Sequence, residues 1–249
     1  MKISIVGESL IGTREEQQDS YIYRVTDELA FAAVCDGMGG LNGGRIASEA
    51  VVKSFKEDVL IAMPITNCSE FLKQEATKLD NLVFYLEDEN GQWLKAGTTI
   101  VSVVILNGEL YFLTAGDSML YMQRGSEMIA VNREHNYELQ LKDYLKKGNI
   151  TKEEYDAELK ARGGALVSYI GVGNISVMDV NRKPIKLKRK DRLLLCSDGL
   201  TKIFSIDELR RIMISDNDIK HISATIKGLI AKKSISNQDN TTYIIIQVD

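Results

Sequence analysis

Apolar residues along this chain repeat with two different periods. Between residues 44 and 63 they return every fourth position, at Ala47, Val51, Phe55 and Val59, which predicts a helix with one buried stripe. Pro64 is expected to stop it. Asn67, with Glu70 three residues on, reads as the N-terminal cap of a second helix buried through Phe71, Leu72, Ala76, Leu79, Leu82, Val83 and Leu86. Elsewhere the apolar positions gather into short β-branched or aromatic runs. Strands are expected near residues 3–8, 21–26, 29–34, 99–106, 109–114, 119–123, 128–131, 175–180, 192–196 and 241–248. Asn107-Gly108 between two such runs is the strongest short hairpin signal, and residues 97–131 as a whole read as an antiparallel meander.

Residues 132–164 are polar. A short helix is expected over residues 136–147, closed by Gly148, and another opened by the capping box Thr151 and Glu154. The thin apolar face of this segment predicts a mobile insertion. A capping box at Ser205 and Glu208 starts a helix through Ile214, and a further helix runs from about Ile219 to Lys232. Hairpin strands with helical pairs between them indicate an α+β fold. Strands apolar on both faces and amphipathic helices are both satisfied by two antiparallel sheets packed face to face, with helices covering the outer faces. No repeat or linker divides the chain, so one domain over residues 1–249 is expected.

Composition narrows the function classes. A 44% hydrophobic and 27% charged chain is ordinary for a globular protein, and its net charge of −4 argues against nucleic acid or an anionic membrane as partner. No apolar run approaches the ~18 residues of a membrane span. The N-terminal stretch is too short for a signal peptide. Cys35, Cys68 and Cys196 fit neither a disulfide framework nor a zinc site, and only His135 and His221 are present to help. Reduced cysteines in a cytoplasmic protein are the expectation.

The candidate chemistry lies in aspartates at strand ends. Asp36 ends an apolar run and is followed by eight residues of which five are glycines. Asp117 and Asp198 directly follow expected strands, whereas Asp19 and Asp239 directly precede them. In antiparallel pairing the end of one strand lies beside the start of its neighbour, so all five can converge on one edge. Aspartate is also common in turns, where it bonds its own backbone. If the five converge, an oxygen-rich cluster without His or Cys favours a hard cation, Mg²⁺ or Mn²⁺. Arg14, five residues before Asp19, can grip a phosphate with two parallel hydrogen bonds. Met38 and Met119 read as packing residues.

Taken in order, Arg14…Gln17-Gln18-Asp19, Val34-Cys35-Asp36-Gly37-Met38-Gly39-Gly40, Gly97-Thr98-Thr99, Ala115-Gly116-Asp117-Ser118, Leu195-Cys196-Ser197-Asp198-Gly199-Leu200-Thr201 and Gln238-Asp239-Asn240-Thr241 resemble the metal-dependent serine/threonine protein phosphatases, the protein phosphatase 2C-like family, in its bacterial branch. The resemblance implies a four-layer αββα sandwich with a flap insertion at about residues 132–174. It implies that Asp36 bridges two metal ions, with the Gly37 carbonyl on one and Asp198 and Asp239 on the other. Asp19 would hold metal-bound water or approach the metals directly. Asp117 with Asp198 would form a third, weaker site, and Arg14 would bind substrate phosphate. The sequence departs from the pattern at Gln17, Gln18, Met119 and Glu134-His135-Asn136.

The expected activity is hydrolysis of phosphoserine and phosphothreonine by two-metal activation of water, reversing a bacterial serine/threonine kinase, in a cytoplasmic monomer. A catalytically weak phosphoprotein-binding module and a partner-switching phosphatase of a stress-response regulator are the alternatives. His135 could serve as a general acid, but a flap histidine is more often an exposed polar residue.

Overall fold

The computed structural model describes residues 1–40, 42–215, 218–233 and 235–249. The first half forms β1 (Ile3–Leu10), β2 (Asp19–Val25), β3 (Leu29–Met38), α1 (Gly43–Ile61), α2 (Cys68–Phe84), β4 (Gly97–Thr98), β5 (Ile100–Leu106) and β6 (Glu109–Ala115). There follow β7 (Met119–Arg124), β8 (Glu127–Ala130), α3 (Tyr137–Lys146), α4 (Lys152–Arg162), β9 (Asp179–Val180) and β10 (Ile185–Lys186). The chain then forms β11 (Arg192–Cys196), α5 (Asp198–Thr201), α6 (Ile206–Met213), α7 (Ile219–Lys233) and β12 (Thr241–Val248).

Two antiparallel sheets result. One has the order β1-β12-β11-β7-β8, the other β10-β6-β5-β3-β2, with β4 beside β3 and β9 beside β6. Strand alternation shows why the sheets must stack. On β3, Ala30, Ala32 and Val34 enter the core between the sheets, while Phe31, Ala33 and Cys35 enter a second core under α1 and α2. On β12, Ile244, Ile246 and Val248 face the first sheet pair's common core, while Tyr243 and Ile245 meet α6 and α7 through Leu209, Met213, Ile222 and Ile226. Helices therefore cover both outer faces, giving the expected four layers. Phe31 and Phe55 lock α1 to its sheet edge-to-face, centroids 6.1 Å apart.

The helix starts follow their capping residues. Asn67, Asn136, Thr151 and Ser205 each accept a backbone N–H from three residues on, and both capping boxes are complete. Three expectations need correction. Residues 97–131 are not one meander: β5–β6 is a hairpin of one sheet and β7–β8 a hairpin of the other. The crossing is made at Gly116, whose φ of +103° and contact with Thr99 leave no room for a side chain, since a Cβ would lie 2.6 Å from Thr99. Second, the strand expected over residues 175–180 reduces to Asp179–Val180, because Ile175 is held instead by a side chain of α2. Third, β3 does not stop before its glycine; it runs through Asp36 to Met38 because Gly37 and Met38 pair with Thr98 and Gly97.

Candidate active site

The five aspartates come from both sheets and meet at one end of the sandwich. In the first sheet Asp19 lies opposite Asp36 in the β2–β3 register. The backbone of Asp36 is held on three sides. Its N–H donates to Thr99 Oγ1 at 3.0 Å, and its carbonyl accepts from Thr99 N at 2.8 Å and Thr98 Oγ1 at 2.9 Å. Thr99 Oγ1 in turn lies 2.7 Å from Ser118 Oγ, which ties the turn carrying Asp117 to Asp36. In the second sheet Asp198 opens the short α5 directly after β11. Its neighbour Ser197 donates to Asp19 Oδ2 at 2.7 Å, a bond that joins the two sheets. Asn240 makes the other join: its Oδ1 accepts from Gln18 N at 2.8 Å, while its Nδ2 donates to the carbonyls of Ile11 and Glu16. Gly199 lets α5 abut the start of β12, where a Cβ would fall 1.9 Å from the Asn240 carbonyl oxygen.

Gathering carboxylates in this way shifts their protonation. Burial, then the charges of Asp19, Asp198, Asp117 and Asp239, push the Asp36 carboxyl well above its usual range. Burial raises Asp19 to about 6 against the hydrogen bond from Ser197, and burial with the charge of Asp198 raises Asp117 to about 6. Two cations offset this repulsion. Lys202 Nζ lies 2.5 Å from Asp198 Oδ2 and 3.0 Å from Asp239 Oδ2, and Arg14 reaches Asp239 Oδ1 at 2.9 Å. Although burial works against it, these two hydrogen bonds hold the Lys202 ammonium firmly protonated. Asp239 is likewise held below its usual range by Lys202 and Arg14 in spite of burial.

Two carboxylate oxygens of this cluster remain orphaned: Asp19 Oδ1 and Asp198 Oδ1 are buried with no hydrogen-bond partner. Such atoms are costly unless a donor or a cation meets them. Among the described residues no three acidic, His or Cys side chains already close on one point as a ligand set. The ammonium of Lys202 bonds both Asp198 and Asp239. With carboxylates as the anionic oxygen donors and two orphaned oxygens, the residues fit a hard divalent cation.

A cavity of about 580 Å³ opens above these groups, lined by Arg14, Gln18, Asp36, Gly37 and Asp239 among others. The structure thus brings Arg14, Asp36, Gly37 and Asp239 to one cleft, with Asp19 and Asp198 joined to it by hydrogen bonds and Asp117 through Thr99. Gly37 has a second use. A Cβ there would lie 2.1 Å from the Gly44 carbonyl oxygen, so the glycine lets α1 start against the sheet. Gln17 supports the site, accepting from Asp19 N and donating to Ser9 Oγ.

His135 is not the exposed flap residue expected. It is wholly buried, its N–H donates to the Gly116 carbonyl, its Nδ1 accepts from Gly116 N at 3.3 Å, and its Nε2 lies 3.5 Å from Asp179 Oδ2. The ring pins the start of the 132–164 segment to the turn before Asp117. The two helices of the segment bury only Leu141 of α3 and Tyr155 of α4. The sequence reading carried Thr98, Thr99 and Ser197 within its motifs without giving them a role, and it missed Lys202. The available signal for Lys202 was its place one helical turn after Asp198.

Comparison with known proteins gives one consistent result. The family model described as protein phosphatase 2C matches residues 6–221. The chain is 29% identical to the serine/threonine phosphatase stp of Listeria innocua over 236 residues, covering 91% of this chain and 87% of that protein. It is 24% identical to the protein phosphatase PhpP of Streptococcus pneumoniae, covering 100% of this chain and 98% of that one. In fold it superimposes on the serine/threonine phosphatase of S. agalactiae with a TM-score of 0.82 at 23% identity, each chain covered in full.

Proposed function

Because the chain belongs to the protein phosphatase 2C family, a metal-dependent family, we infer that it cleaves phosphoserine and phosphothreonine at the cleft between its two sheets. It is a protein serine/threonine phosphatase. The observation that carries the site assignment is the meeting of five aspartates from two sheets, two of them with orphaned buried oxygens, beside the exposed guanidinium of Arg14. In this reading Asp36, the Gly37 carbonyl, Asp19, Asp198 and Asp239 would hold two divalent cations, Mn²⁺ or Mg²⁺, and Asp117 with Asp198 would offer a third, weaker site. Bound there, such cations acidify water and offset phosphoryl charge.

The chain's own groups do the rest. The three hydrogen bonds on the Asp36 backbone fix its carboxylate in advance, so little reorganisation accompanies reaction. Ser197 orients Asp19 through Oδ2 and leaves Oδ1 free. Arg14 is 59% exposed and exchanges Asp239 for a substrate phosphate oxygen. No protein nucleophile is needed. The nearest candidate, Cys35, is kept a neutral thiol by burial and by the charges of Asp19 and Asp36. Residues 1–249 act as one phosphatase domain with a flap at about 132–174. The protein works as a cytoplasmic monomer and opposes a serine/threonine kinase on shared phosphoprotein substrates.

The test is phosphate release from a phosphothreonine peptide by the full chain. Activity is expected with Mn²⁺ and none with chelator. Asp239→Asn should cost more than the roughly 10- to 100-fold typical of outer-shell partners. Folded, Mn²⁺-loaded protein that binds the peptide without releasing phosphate would make it a phosphoprotein-binding module instead.

A further inference from the structure

A second cleft adjoins the first. It has a volume of about 320 Å³, and its walls include Phe84, Trp93, Leu94, Ala96, Tyr169 and Val172. Met38 and Gly39 line both clefts, so the two adjoin at these residues, next to Asp36 in the chain. Their chemistry differs. The first is walled by Arg14, Glu15, Glu16, Gln18 and Asp36, the second by aromatic and aliphatic side chains with Lys95 the one charged residue among its lining. At its mouth stands a cluster of three rings. Trp93 lies 6.0 Å from Phe84 and 6.1 Å from Tyr85, centroid to centroid, yet Trp93 is 62% exposed and Tyr85 60% exposed. Large rings this exposed mark a surface that meets another molecule. The floor is firm: Tyr169 lies so close over Gly97 that a Cβ there would sit 2.6 Å from its ring, and Phe84 packs as closely on Gly173.

We propose that this cleft is a specificity pocket, which seats an aromatic or large aliphatic side chain of the phosphoprotein close to the residue being dephosphorylated. The proposal rests on the catalytic reading of the neighbouring cleft, since that reading places the phosphoresidue beside Met38 and Gly39. A substrate chain leaving the aspartates on this side runs directly over the apolar opening. Lys95 is the one charged group in the opening, whereas an apolar side chain seated there is removed from water on several faces at once.

Trp93 is the only tryptophan of the chain, so its emission reports on this pocket alone. A phosphothreonine peptide of polar background would be prepared with Phe moved through the three positions on either side, beside an all-Ala parent. With the Mn²⁺-loaded full chain, Phe on one side is expected to raise kcat/KM about tenfold, mainly through KM. That Phe-to-Ala ratio should fall toward one in Trp93→Ala and be reduced in Tyr85→Ala. Independently of turnover, the preferred peptide with a non-hydrolysable phosphonate should shift Trp93 emission saturably, and its Ala counterpart should not. Equal hydrolysis of all peptides with unmoved emission overturns the pocket and leaves the phosphatase reading standing. A saturable shift without hydrolysis does the reverse. Emission that moves with protein concentration alone gives the cleft to a second copy of the chain and overturns the proposal.

Discussion

Lys202 is the residue on which the state of the aspartates turns. Its ammonium satisfies Asp198 and Asp239 together, the two side chains that the second sheet would contribute to cation binding. A divalent ion bound there would have to displace it, so Lys202 would act as a weak internal competitor. Lys202→Met should therefore tighten Mn²⁺ binding about 3- to 10-fold, a modest range because the ammonium is half exposed and screened by solvent. The same variant should melt earlier than wild type in chelator, where the carboxylates then repel one another unopposed. Calorimetric titration with Mn²⁺ and a melting curve in chelator read the two effects; unchanged affinity would mean that Lys202 swings aside at no cost. The aspartates themselves were legible from sequence because each borders an apolar run. Lys202 was not, since a lysine one turn into a polar helix reads as solvated. Nor was the burial of His135, which depends on Gly116 and Asp179 arriving from distant parts of the chain.

At the scale of elements, α2 carries two buried carboxylates with opposite fates. Asp80 accepts N–H groups from Gly171, Gly173 and Ile175 and so clamps the chain that follows α4. Glu75 has no such compensation. It is buried with Oε1 unpartnered, and burial followed by the charge of Asp58 on α1 raises it to about 8, against a smaller pull from Lys78. Between its unfolded value near 4.5 and its folded value of about 8, the folded chain holds a proton that the unfolded chain has released. Stability supplied by this group is thus full at low pH and lost as pH rises through that window. Glu75→Gln, which keeps the neutral form, should match wild type near pH 4.5 and exceed it above pH 8 by about 1 kcal/mol or more, a Tm gain of about 2–4 °C. Thermal melts at the two pH values decide it; a gain of equal size at both would place its origin elsewhere. The helices themselves were readable because caps are local. The sheet assignment of β7 was not, because a turn of Gly-Asp-Ser looks the same whether the chain folds back or crosses over.

For the whole molecule, the decisive fact is that the site belongs to neither sheet. Asp19 and Asp36 stand on one, Asp198 and Asp239 on the other, and the bonds that join the two include Ser197 to Asp19 and Asn240 to Gln18. Cations bound among these carboxylates would clasp the two layers. Saturating Mn²⁺ at about 100 times its dissociation constant should add about 2.7 kcal/mol to stability. That corresponds to a Tm rise of about 5–10 °C, reversed by chelator and largely absent in Asp198→Asn. A metal-independent Tm would remove the clasp from this account. The layered architecture was legible because the period-2 apolar strands required two buried faces. The pairing that closes the second sheet was not, because β1 and β12 are separated by nearly the whole chain.

That pairing sets the order in which the molecule can be made. β1 finds its partner only in β12, and β12 also completes the flank of β11. A chain emerging from the ribosome can form the β2–β3–β5–β6 sheet and display Asp19 and Asp36 early, while residues 3–10 wait unpaired. Asp239 and the strand it introduces arrive after every other described piece of the site. A chain cut short before Asp239 cannot hold the complete set of carboxylates, so such a truncated product would be expected to lack the assembled cluster.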